Sequence, residues 1–318
     1  MSDLLTPEVE LEIAALFANP DQALALYHEV DGLTCKLSFR EFIRSAWPTI
    51  EPDTEFIENW HIDAMAEHLQ AVTRGEIRNI YIAIPPRCCK SSIVSVLWPA
   101  WSWIEWPGSK WLTASYAMPL ATRDAMRTRR VCLSDWYRYH YGDRFKFTSD
   151  QDTKSWYENN RGGYRYATAV GAGTTGHGGD ILLVDDAHDA SSVLSETERE
   201  SARLWWRETW STRRNDPKTS ARVLVGQRLH EADVPGYVIE EQEEFVLLIL
   251  PMRYEIDSKR RSTSLPAWQD PRSREGELLW PSHFDEAATA ELEKTLGEWG
   301  TAAQLQQRPT PRGGGLIK

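Results

Sequence analysis

The 318 residues of this sequence, 41% of them hydrophobic, can form one large α/β core or two smaller domains without disulfide bonds. A net charge of −11 excludes a protein coated in positive charge, so any contact with nucleic acid must be local. The four cysteines lack the spacing of a zinc site or a disulfide framework, which indicates a reducing cytoplasm. The apolar stretch at residues 93–103 is interrupted and too short to cross a bilayer, which indicates no membrane partner.

The first 75 residues are predicted to be helical. Polar turns at residues 19–21 and 51–53 separate the helices, and Ile62, Met65 and Leu69 follow the spacing of a buried helix face. We assign residues 1–58 to a helical N-terminal region that precedes the main core.

A short strand and a loop come next. Residues 80–84 are apolar and rich in β-branched side chains, and Pro85 and Pro86 end the run. This pattern predicts a buried strand that leads into a loop, followed by a helix from about Lys90.

The alternation of strands and helices continues to residue 225. Strands separated by helices of this length indicate a mostly parallel sheet covered on both faces, whose carboxyl-end loops bind ligands. The loop after Pro85 and the pair Asp185-Asp186 both lie at such ends. The predicted strands are 110–115, 164–169, 181–184 and 221–225, and the predicted helices are 120–133 and 196–213.

The end of the chain differs from the core, which we assign to residues 59–250. Residues 252–281 are polar and rich in proline, and a helical stretch covers 285–307. We therefore expect residues 251–307 to form a helical or irregular lid or linker subdomain. Residues 308–318 contain prolines and consecutive glycines, which indicates a linker to a further domain.

Residues 84–91, Ile-Pro-Pro-Arg-Cys-Cys-Lys-Ser, occupy the position of a phosphate-binding loop. The usual signature, G-x-x-x-x-G-K-[ST], uses glycine to bring backbone N–H groups to phosphates, Lys to neutralise them and Ser or Thr to hold Mg²⁺. Ile84 and Cys89 replace both glycines here, and an ordinary helix that begins at Lys90 is the alternative. A lysine there opposes the helix dipole, and a bound phosphate would remove that conflict.

Two adjacent cysteines, Cys88 and Cys89, lie inside this loop. A redox pair is one interpretation, but adjacent cysteines form strained bridges and only Arg87 and Lys90 are basic near them. We therefore prefer structural or loop-filling cysteines.

Asp185 and Asp186 end an apolar run, 95 residues after Lys90. Mg²⁺ needs hard oxygen ligands, and an attacking water needs a group that positions it. We predict that Asp185 faces the metal and that Asp186 orients the water. A strand that ends in solvated aspartates is the alternative. Because loop and acidic strand occur in order on one parallel sheet, the sequence favours phosphoryl transfer.

Residues 170–179 lie just before the acidic strand. They are too rich in glycine for a helix and too polar for a core strand, which predicts a flexible loop over the site. His177 in this loop is expected either to touch phosphate or a neighbouring subunit, or simply to be exposed.

Short stretches along the chain form an ordered set. They are Asn59-Trp-His-Ile-Asp63, Ile84-Pro-Pro-Arg-Cys-Cys-Lys-Ser91, Ala114-Ser-Tyr-Ala117, Arg161-Gly-Gly-Tyr-Arg165, Val184-Asp-Asp186, Gly226-Gln-Arg-Leu-His-Glu231 and Gln306-Gln-Arg-Pro309. Together they resemble the large terminase subunits of tailed bacteriophages. The resemblance implies an α/β fold, a three-layer P-loop NTPase of the additional-strand, RecA-like kind, with a mostly parallel central sheet and a helical N-terminal preface.

The resemblance implies roles at a bound ATP. Ser91 and Asp185 would hold Mg²⁺, and Asp186 would orient the attacking water. The residues expected at the nucleotide are Pro86, Arg87, Cys88, Cys89, Lys90, Ser91 and Ser92, with Arg87, Lys90 and Asp186 as the catalytic set.

Further roles follow from the same resemblance. Gln227 and Arg228 match the family's coupling motif, which links nucleotide state to movement, although by themselves they would indicate a hydrogen-bonded strand end. Trp60 and His61 are expected near the adenine.

The sequence departs from the family at three points. Cys89 stands where relatives often have Gly or Met, which predicts an altered loop geometry. His177 stands nearest to an arginine that serves some relatives as a finger for a neighbouring subunit. Larger members continue into an RNase H-like nuclease domain, so residues 308–318 are interpreted as a linker to that domain and no nuclease activity is expected from this chain.

The predicted function is an ATP-hydrolysing, Mg²⁺-dependent motor of viral DNA packaging that moves double-stranded DNA into a procapsid. The family implies a homo-oligomeric ring on the portal protein, supplied by a small terminase subunit, in the host cytoplasm. A DNA helicase or translocase of a related class is one alternative. A non-hydrolysing assembly protein is another, because both loop glycines are replaced.

Two sets of arginines are candidates for contacts outside the chain. The first is a helix face that would touch DNA or a neighbouring subunit's nucleotide, unless it is simply solvated; the second is a weaker candidate. The first contains Arg123, Arg127, Arg129 and Arg130, and the second contains Arg203, Arg207 and Arg214.

Overall fold

The helical start predicted from the sequence consists of α1 (Pro20–Leu37), α2 (Phe39–Ile50) and α3 (Trp60–Thr73). The side chains of Asn19 and Ser38 accept backbone N–H groups in the first turns of α1 and α2, which fixes where these helices begin. This computed structural model describes residues 19–174, 176–242, 244–256, 263 and 268–311. The predicted helical residues 1–18 and the predicted linker residues 312–318 lie outside that part.

Eight strands form one sheet in the order β3-β4-β5-β2-β6-β7-β1-β8. All pairings are parallel except those of β4 with β3 and β5, so the predicted mostly parallel sheet is confirmed. Sequence patterns did not indicate β3, β4 and β8. The strands are β1 (Asn79–Ala83), β2 (Lys110–Ser115), β3 (Phe147–Asp152), β4 (Trp156–Asn159), β5 (Tyr164–Ala169), β6 (Ile181–Asp185), β7 (Ala221–Gly226) and β8 (Val246–Ile249).

The strand before the loop, β1, and the acidic strand, β6, are not neighbours. Strand β7 lies between them and pairs in parallel with both. Its register sets Gly226 beside Ala83 and Val225 beside Asp185, so the carboxyl ends of the three strands are level. This inserted strand is the additional-strand arrangement expected from the sequence.

Helices cover both faces of the sheet, as predicted. Successive side chains of β1 point to opposite faces: Ile80 and Ile82 join one buried cluster, and Tyr81 and Ala83 join the other. The result is three layers. The remaining helices are α4 (Trp98–Glu105), α5 (Met118–Leu133), α6 (Asp135–Tyr141), α7 (Glu196–Leu204), α8 (Val234–Glu241) and α9 (Glu286–Gly300).

Several helices contain wide π turns or tight 3-10 turns. The segment directly after Lys90, Ser91–Leu97, is π-helical and leads into α4. The helix predicted over residues 196–213 is divided into α7, a π segment (Trp205–Trp210) and a 3-10 turn (Ser211–Arg213). A further π segment, Thr301–Leu305, extends α9. Such π turns often occur at functional sites.

The described residues of the predicted lid subdomain pack on the core. Met252, Leu279 and Leu305 belong to the same buried cluster as β1, and the N–H of Met252 donates to the carbonyl of Leu305 at 2.8 Å. The domain boundaries stay predictions. A search of the described helices finds none with the length and apolarity needed to span a bilayer.

Candidate active site

The loop between β1 and the π segment keeps the backbone form that glycine favours, although it has no glycine. Arg87 and Cys89 adopt left-handed conformations, with φ of 65° and 61°. Cys89 stands at the second glycine position of the signature, and a non-glycine residue pays about 1 kcal/mol or more for this conformation. The replacement of glycine by Cys89 therefore leaves the loop with a glycine-like backbone at that position.

Lys90 lies between the two aspartates that end the acidic strand. Its Nζ donates to Asp185 Oδ1 at 3.3 Å and also to Asp186 Oδ2. Burial alone would lower the pKa of Lys90, but the attraction of both carboxylates outweighs burial and raises it well above its usual value. The two carboxylates thus favour the positively charged form of Lys90.

The Asp185 carboxylate is anchored from the other side by a hydroxyl. Ser95 Oγ, in the π segment, donates to Asp185 Oδ2 at 2.8 Å. Ser95 is four residues after Ser91, and in the sequence it stands out only as a break in an apolar run. A single polar residue inside an otherwise apolar helix is the available signal, because buried hydroxyls need a partner.

Asp186 turns the chain sharply at the end of β6. Its φ is 51°, its N–H donates to the Val225 carbonyl at 2.9 Å, and its carbonyl accepts from the N–H of Tyr116 at 2.8 Å. A side chain at Gly226 would meet Asp186 Oδ1 at 2.9 Å, so the end of β7 requires glycine. Burial raises the pKa of the Asp186 carboxyl, and nearby Lys90 opposes that rise.

A cavity of about 740 Å³ opens over these groups. Its walls come from the loop, from the ends of β6 and β7, from α5 and from the segment between α2 and α3. Ten of the predicted site residues line it: Pro86, Arg87, Cys89, Lys90, Ser91, Ser92, Asp186, Gln227, Arg123 and Arg127.

Trp60 and His61 do not line this cavity. His61 is fully buried, its ring lies 4.9 Å from that of Trp280, and burial lowers its pKa to about 3. Trp60 packs instead against the guanidinium of Arg272, at 5.1 Å. The aromatic residues of the lid region that do reach the cavity are Trp280 and His283, and no sequence pattern pointed to them.

Gln227 and Arg228 point in different directions. Gln227 lines the cavity, and its Oε1 has no hydrogen-bond partner in the described part of the chain. Arg228 is buried and its Nε donates to Asp233 at 3.0 Å, while its N–H donates to Gln307 Oε1 at 2.9 Å. Arg228 therefore does not reach the cavity, and it connects β7 to the start of α8 and to the end of the lid region.

The glycine loop, residues 170–179, supplies none of its described residues to the cavity. The ring of His177 stacks on Tyr166 at 4.4 Å and meets the edge of Trp156 at 4.9 Å. The prediction of a loop over the site is wrong for this structure, because its aromatic contacts hold it against β4 and β5. Thr175 lies outside the described residues.

The cysteine pair does not behave as a redox pair. All four cysteines are free thiols. Burial raises the pKa of Cys88 far above its usual value and that of Cys89 to about 11, so neither is a thiolate at neutral pH. Cys88 faces the core and does not line the cavity.

The basic face of α5 divides between the cavity and the surface. Arg127 donates to the Ile50 carbonyl at 3.3 Å and pairs with Glu51. Arg129 pairs with Asp152 outside the cavity, and Arg130 is exposed. In the weaker set, Arg203 pairs with Glu200, Arg207 lies 3.9 Å from Glu208, and Arg214 donates to the Pro217 carbonyl at 3.3 Å.

His188 links the acidic loop to the helix after β7, a role that the sequence did not indicate. It lines the cavity, and its Nε2 accepts the N–H of Val234, the first residue of α8, at 3.1 Å. Burial lowers the pKa of His188, so the neutral ring is the form that can accept this bond.

The residues at the cavity fit a nucleotide with Mg²⁺. Ser91 and Asp186 line the cavity and offer hard oxygen donors, Arg87 and Lys90 offer positive charge for phosphates, and Asp185, which is buried and does not line the cavity, contacts Lys90. Within the described ranges no three His, Cys, Asp or Glu side chains form a metal cluster. Mg²⁺ at a nucleotide usually needs only one or two carboxylates besides the phosphates, so this donor set is sufficient.

Comparison with known proteins gives structural matches alone. No family model and no curated protein sequence matches the chain. The HK97 bacteriophage large terminase matches with a TM-score of 0.42 and 9% identity over 67% of this chain and 45% of that chain. The large terminase of a thermophilic bacteriophage matches with a TM-score of 0.42 and 8% identity over 75% of this chain and 51% of that chain.

The same thermophilic phage protein in complex with ATP-gamma-S matches with a TM-score of 0.35 and 10% identity over 58% of this chain and 44% of that chain. The chain thus spans about half the length of the solved structures that it matches. These are large terminases, the family that the sequence motifs resemble.

Proposed function

We propose that this protein hydrolyses ATP and is the motor of a viral DNA-packaging machine. The observation that carries the proposal is the position of Lys90. It lies after β1 and contacts both aspartates at the end of β6, with β7 inserted between the two strands. A buried lysine, two carboxylates and a hydroxyl at one sheet edge are the groups that phosphoryl transfer requires.

Each group has a defined task in this proposal. Lys90 and Arg87 bind the phosphates, Ser91 and Asp185 hold Mg²⁺, and Asp186 orients the attacking water. Bound Mg²⁺ would supply neutralising charge for the phosphate oxygens. The phosphates would compete with the aspartates for Lys90, whose ammonium is already desolvated and therefore binds anions strongly.

The packaging role rests on the ordered motifs of the sequence together with this site. In it, ATP turnover drives double-stranded DNA into a procapsid from a homo-oligomeric ring on the portal protein, with the small terminase subunit as a further partner, in the host cytoplasm. Gln227 and Arg228 support a coupling of nucleotide state to movement. Gln227 faces the cavity, and the adjacent Arg228 is bonded to the start of α8 and to the lid region.

The glycine-like backbone of Cys89 bears on the alternative of a non-hydrolysing assembly protein. That alternative depended on the two lost glycines, and the φ of Cys89 answers the argument from Cys89 but not the one from Ile84. The product of a DNA assay distinguishes the packaging motor from a helicase of a related class. A packaging motor displaces a third strand from duplex DNA without opening the duplex, whereas a helicase releases single strands.

ATP turnover of Lys90→Ala and Asp186→Asn tests the hydrolytic site. Each should lose turnover by about 100-fold or more, with Lys218→Ala and Asp150→Asn as controls at exposed positions. The assay includes DNA and the assembled subunits, because the proposed ring gives each site a neighbouring subunit. Wild-type turnover in both site variants would reject the proposal.

A further inference from the structure

Among the described lysines and arginines that line the cavity, Arg87 and Arg123 have no hydrogen bond or ion pair to another element. Lys90 is held by two aspartates and Arg127 by Glu51. Arg123, in contrast, donates from Nε to Asp124 Oδ1 at 2.8 Å and from Nη2 to Asp124 Oδ2 at 3.2 Å. This partner is its own neighbour in the chain, and 51% of the Arg123 side chain is exposed.

The helix that carries Arg123 is fixed to the π segment that follows the phosphate loop. Thr128 Oγ1, on α5, donates to the carbonyl of Val96 at 2.8 Å. Val96 lies in the same π segment as Ser95, which binds Asp185. The backbone of α5 is therefore held in register with the acidic strand, while the Arg123 side chain is bonded only to Asp124 of its own helix among the described residues.

Asp124 keeps a positively charged residue near it when Arg123 moves away. Its side chain is only 5% exposed, and burial raises its pKa. Arg123 lowers that pKa through its hydrogen bond, the charge of Asp185 raises it, and the buried guanidinium of Arg165, on β5, lowers it by a smaller effect of its charge. An arginine that leaves Asp124 therefore leaves a carboxylate with a second cation near it.

We propose that Arg123 binds the outermost phosphate of the nucleotide held by its own chain, with Asp124 as the group that holds it when that phosphate is absent. This inference rests on the proposed function. It replaces the expectation that Arg123 contacts DNA or a neighbouring subunit's nucleotide, because Arg123 lines the same cavity as Lys90 and Asp186. Arg123 is suited to this task, since a guanidinium binds phosphate through paired hydrogen bonds.

Nucleotide affinity of the whole chain tests the proposal. Arg123→Gln should weaken a non-hydrolysable ATP analogue about 10-fold or more, since a hydrogen bond to a charged group is lost, and should change ADP affinity by less than about 2-fold. Arg130→Gln, on the exposed part of the same helix, is the matched control. Equal losses for both nucleotides, or no loss for either, would overturn the inference.

A second variant separates phosphate binding from a structural role. Asp124→Asn keeps the size of the side chain and releases Arg123, so ATP-analogue affinity should stay equal or increase. If Arg123 served only to neutralise buried Asp124, then Asp124→Asn should rescue the Arg123→Gln variant, and analogue affinity would return in the double variant. That rescue would contradict the proposal.

These variants also distinguish a failure of this inference from a failure of the proposed function. If Lys90→Ala abolishes analogue binding and Arg123→Gln does not affect it, then the nucleotide site stands and the role of Arg123 fails. If wild-type protein binds neither nucleotide, then both fail. If Arg123→Gln weakens duplex DNA binding and leaves nucleotide affinity unchanged, then Arg123 is a DNA contact and the inference is rejected.

Discussion

The ends of the neighbouring strands β6 and β7 each carry two adjacent polar residues, and the two pairs divide in the same way. Asp186 and Gln227 line the cavity. Asp185 is bound by Ser95, and Arg228 by Asp233. One member of each pair thus lines the cavity, and the other is bonded to the layer behind the strand end; Asp185 in addition contacts Lys90.

This division shows how a strand end can respond to a ligand. The cavity member can change partners, because its neighbour keeps the backbone in place. The interior member passes any movement on to another element: Ser95 and the π segment for β6, and α8 for β7. For β7, we expect a substitution of Gln227 to change turnover and one of Arg228 to change stability, whereas a substitution of Asp185, the proposed Mg²⁺ ligand, should change turnover as well.

The largest expected effect is on the interior side of β7. Arg228→Ala leaves buried Asp233 without its cation, and breaking a buried ion pair in this way lowers the free energy of unfolding by about 3–5 kcal/mol. Urea unfolding at neutral pH measures the loss. If stability is kept and turnover is lost, then Arg228 acts in the cavity and the comparison between the two sides fails.

The matched cavity-side change is Gln227→Ala. Its Oε1 has no hydrogen-bond partner among the described residues, so we expect stability to stay within about 1 kcal/mol. Turnover should fall by about 100-fold, equivalent to ~2.7 kcal/mol, if the amide contacts reacting groups. Steady-state ATPase rates and the free energy of urea unfolding, measured on the same variant, test this prediction. A destabilised but fully active variant would contradict this assignment.

A buried histidine outside this comparison, His61 on α3, predicts a pH dependence of stability. Burial lowers the pKa of His61 from 6.5 to about 3, so the unfolded chain takes up a proton at a pH where the folded one does not. The contribution of His61 to stability is therefore complete above pH ~6.5 and declines as pH falls, by about 2 kcal/mol at pH 5. His61→Phe should unfold with a shallower pH slope between pH 7 and 5. An unchanged slope would show that His61 titrates normally.

The smallest expected effect concerns the adjacent cysteines of the loop. Cys89→Gly relieves a left-handed φ of 61° and should raise the free energy of unfolding by about 0.5–1 kcal/mol. Cys88→Gly, at a buried position without that conformation, should lower it. Thermal unfolding of the two variants compares them directly. Equal destabilisation would mean that Cys89 carries no backbone strain.

The sequence predicted the centre of the sheet well, for a physical reason. Parallel strands buried on both faces, such as β6, are continuous apolar runs. Strand β3, Phe147–Asp152, lies at an edge with mostly exposed or half-buried polar residues, so no periodicity marked it. Strand β8 is a four-residue apolar run, which pattern alone does not distinguish from a buried helical turn.

The position of the candidate site could be predicted from the sequence, but the directions of its side chains could not. Strand ends indicated that Lys90, Asp185 and Asp186 would meet at one edge. They could not tell that Arg228 turns inward, because alternation of side chains ends where the chain leaves β7 at Gly226. His177 contacts aromatic rings on β4 and β5 and so does not line the cavity. These contacts join separate elements of the fold, and the local sequence pattern does not reveal them.

Cys89 also gives the protein a natural attachment point for a reporter group. Cys35, Cys88 and Cys132 are buried, whereas Cys89 lies in the cavity wall. A small maleimide that enters the cavity reaches this thiol before the others, and its pKa of about 11 makes alkylation slow at neutral pH and faster in alkaline solution. The rate of labelling therefore reports whether the phosphate loop is covered.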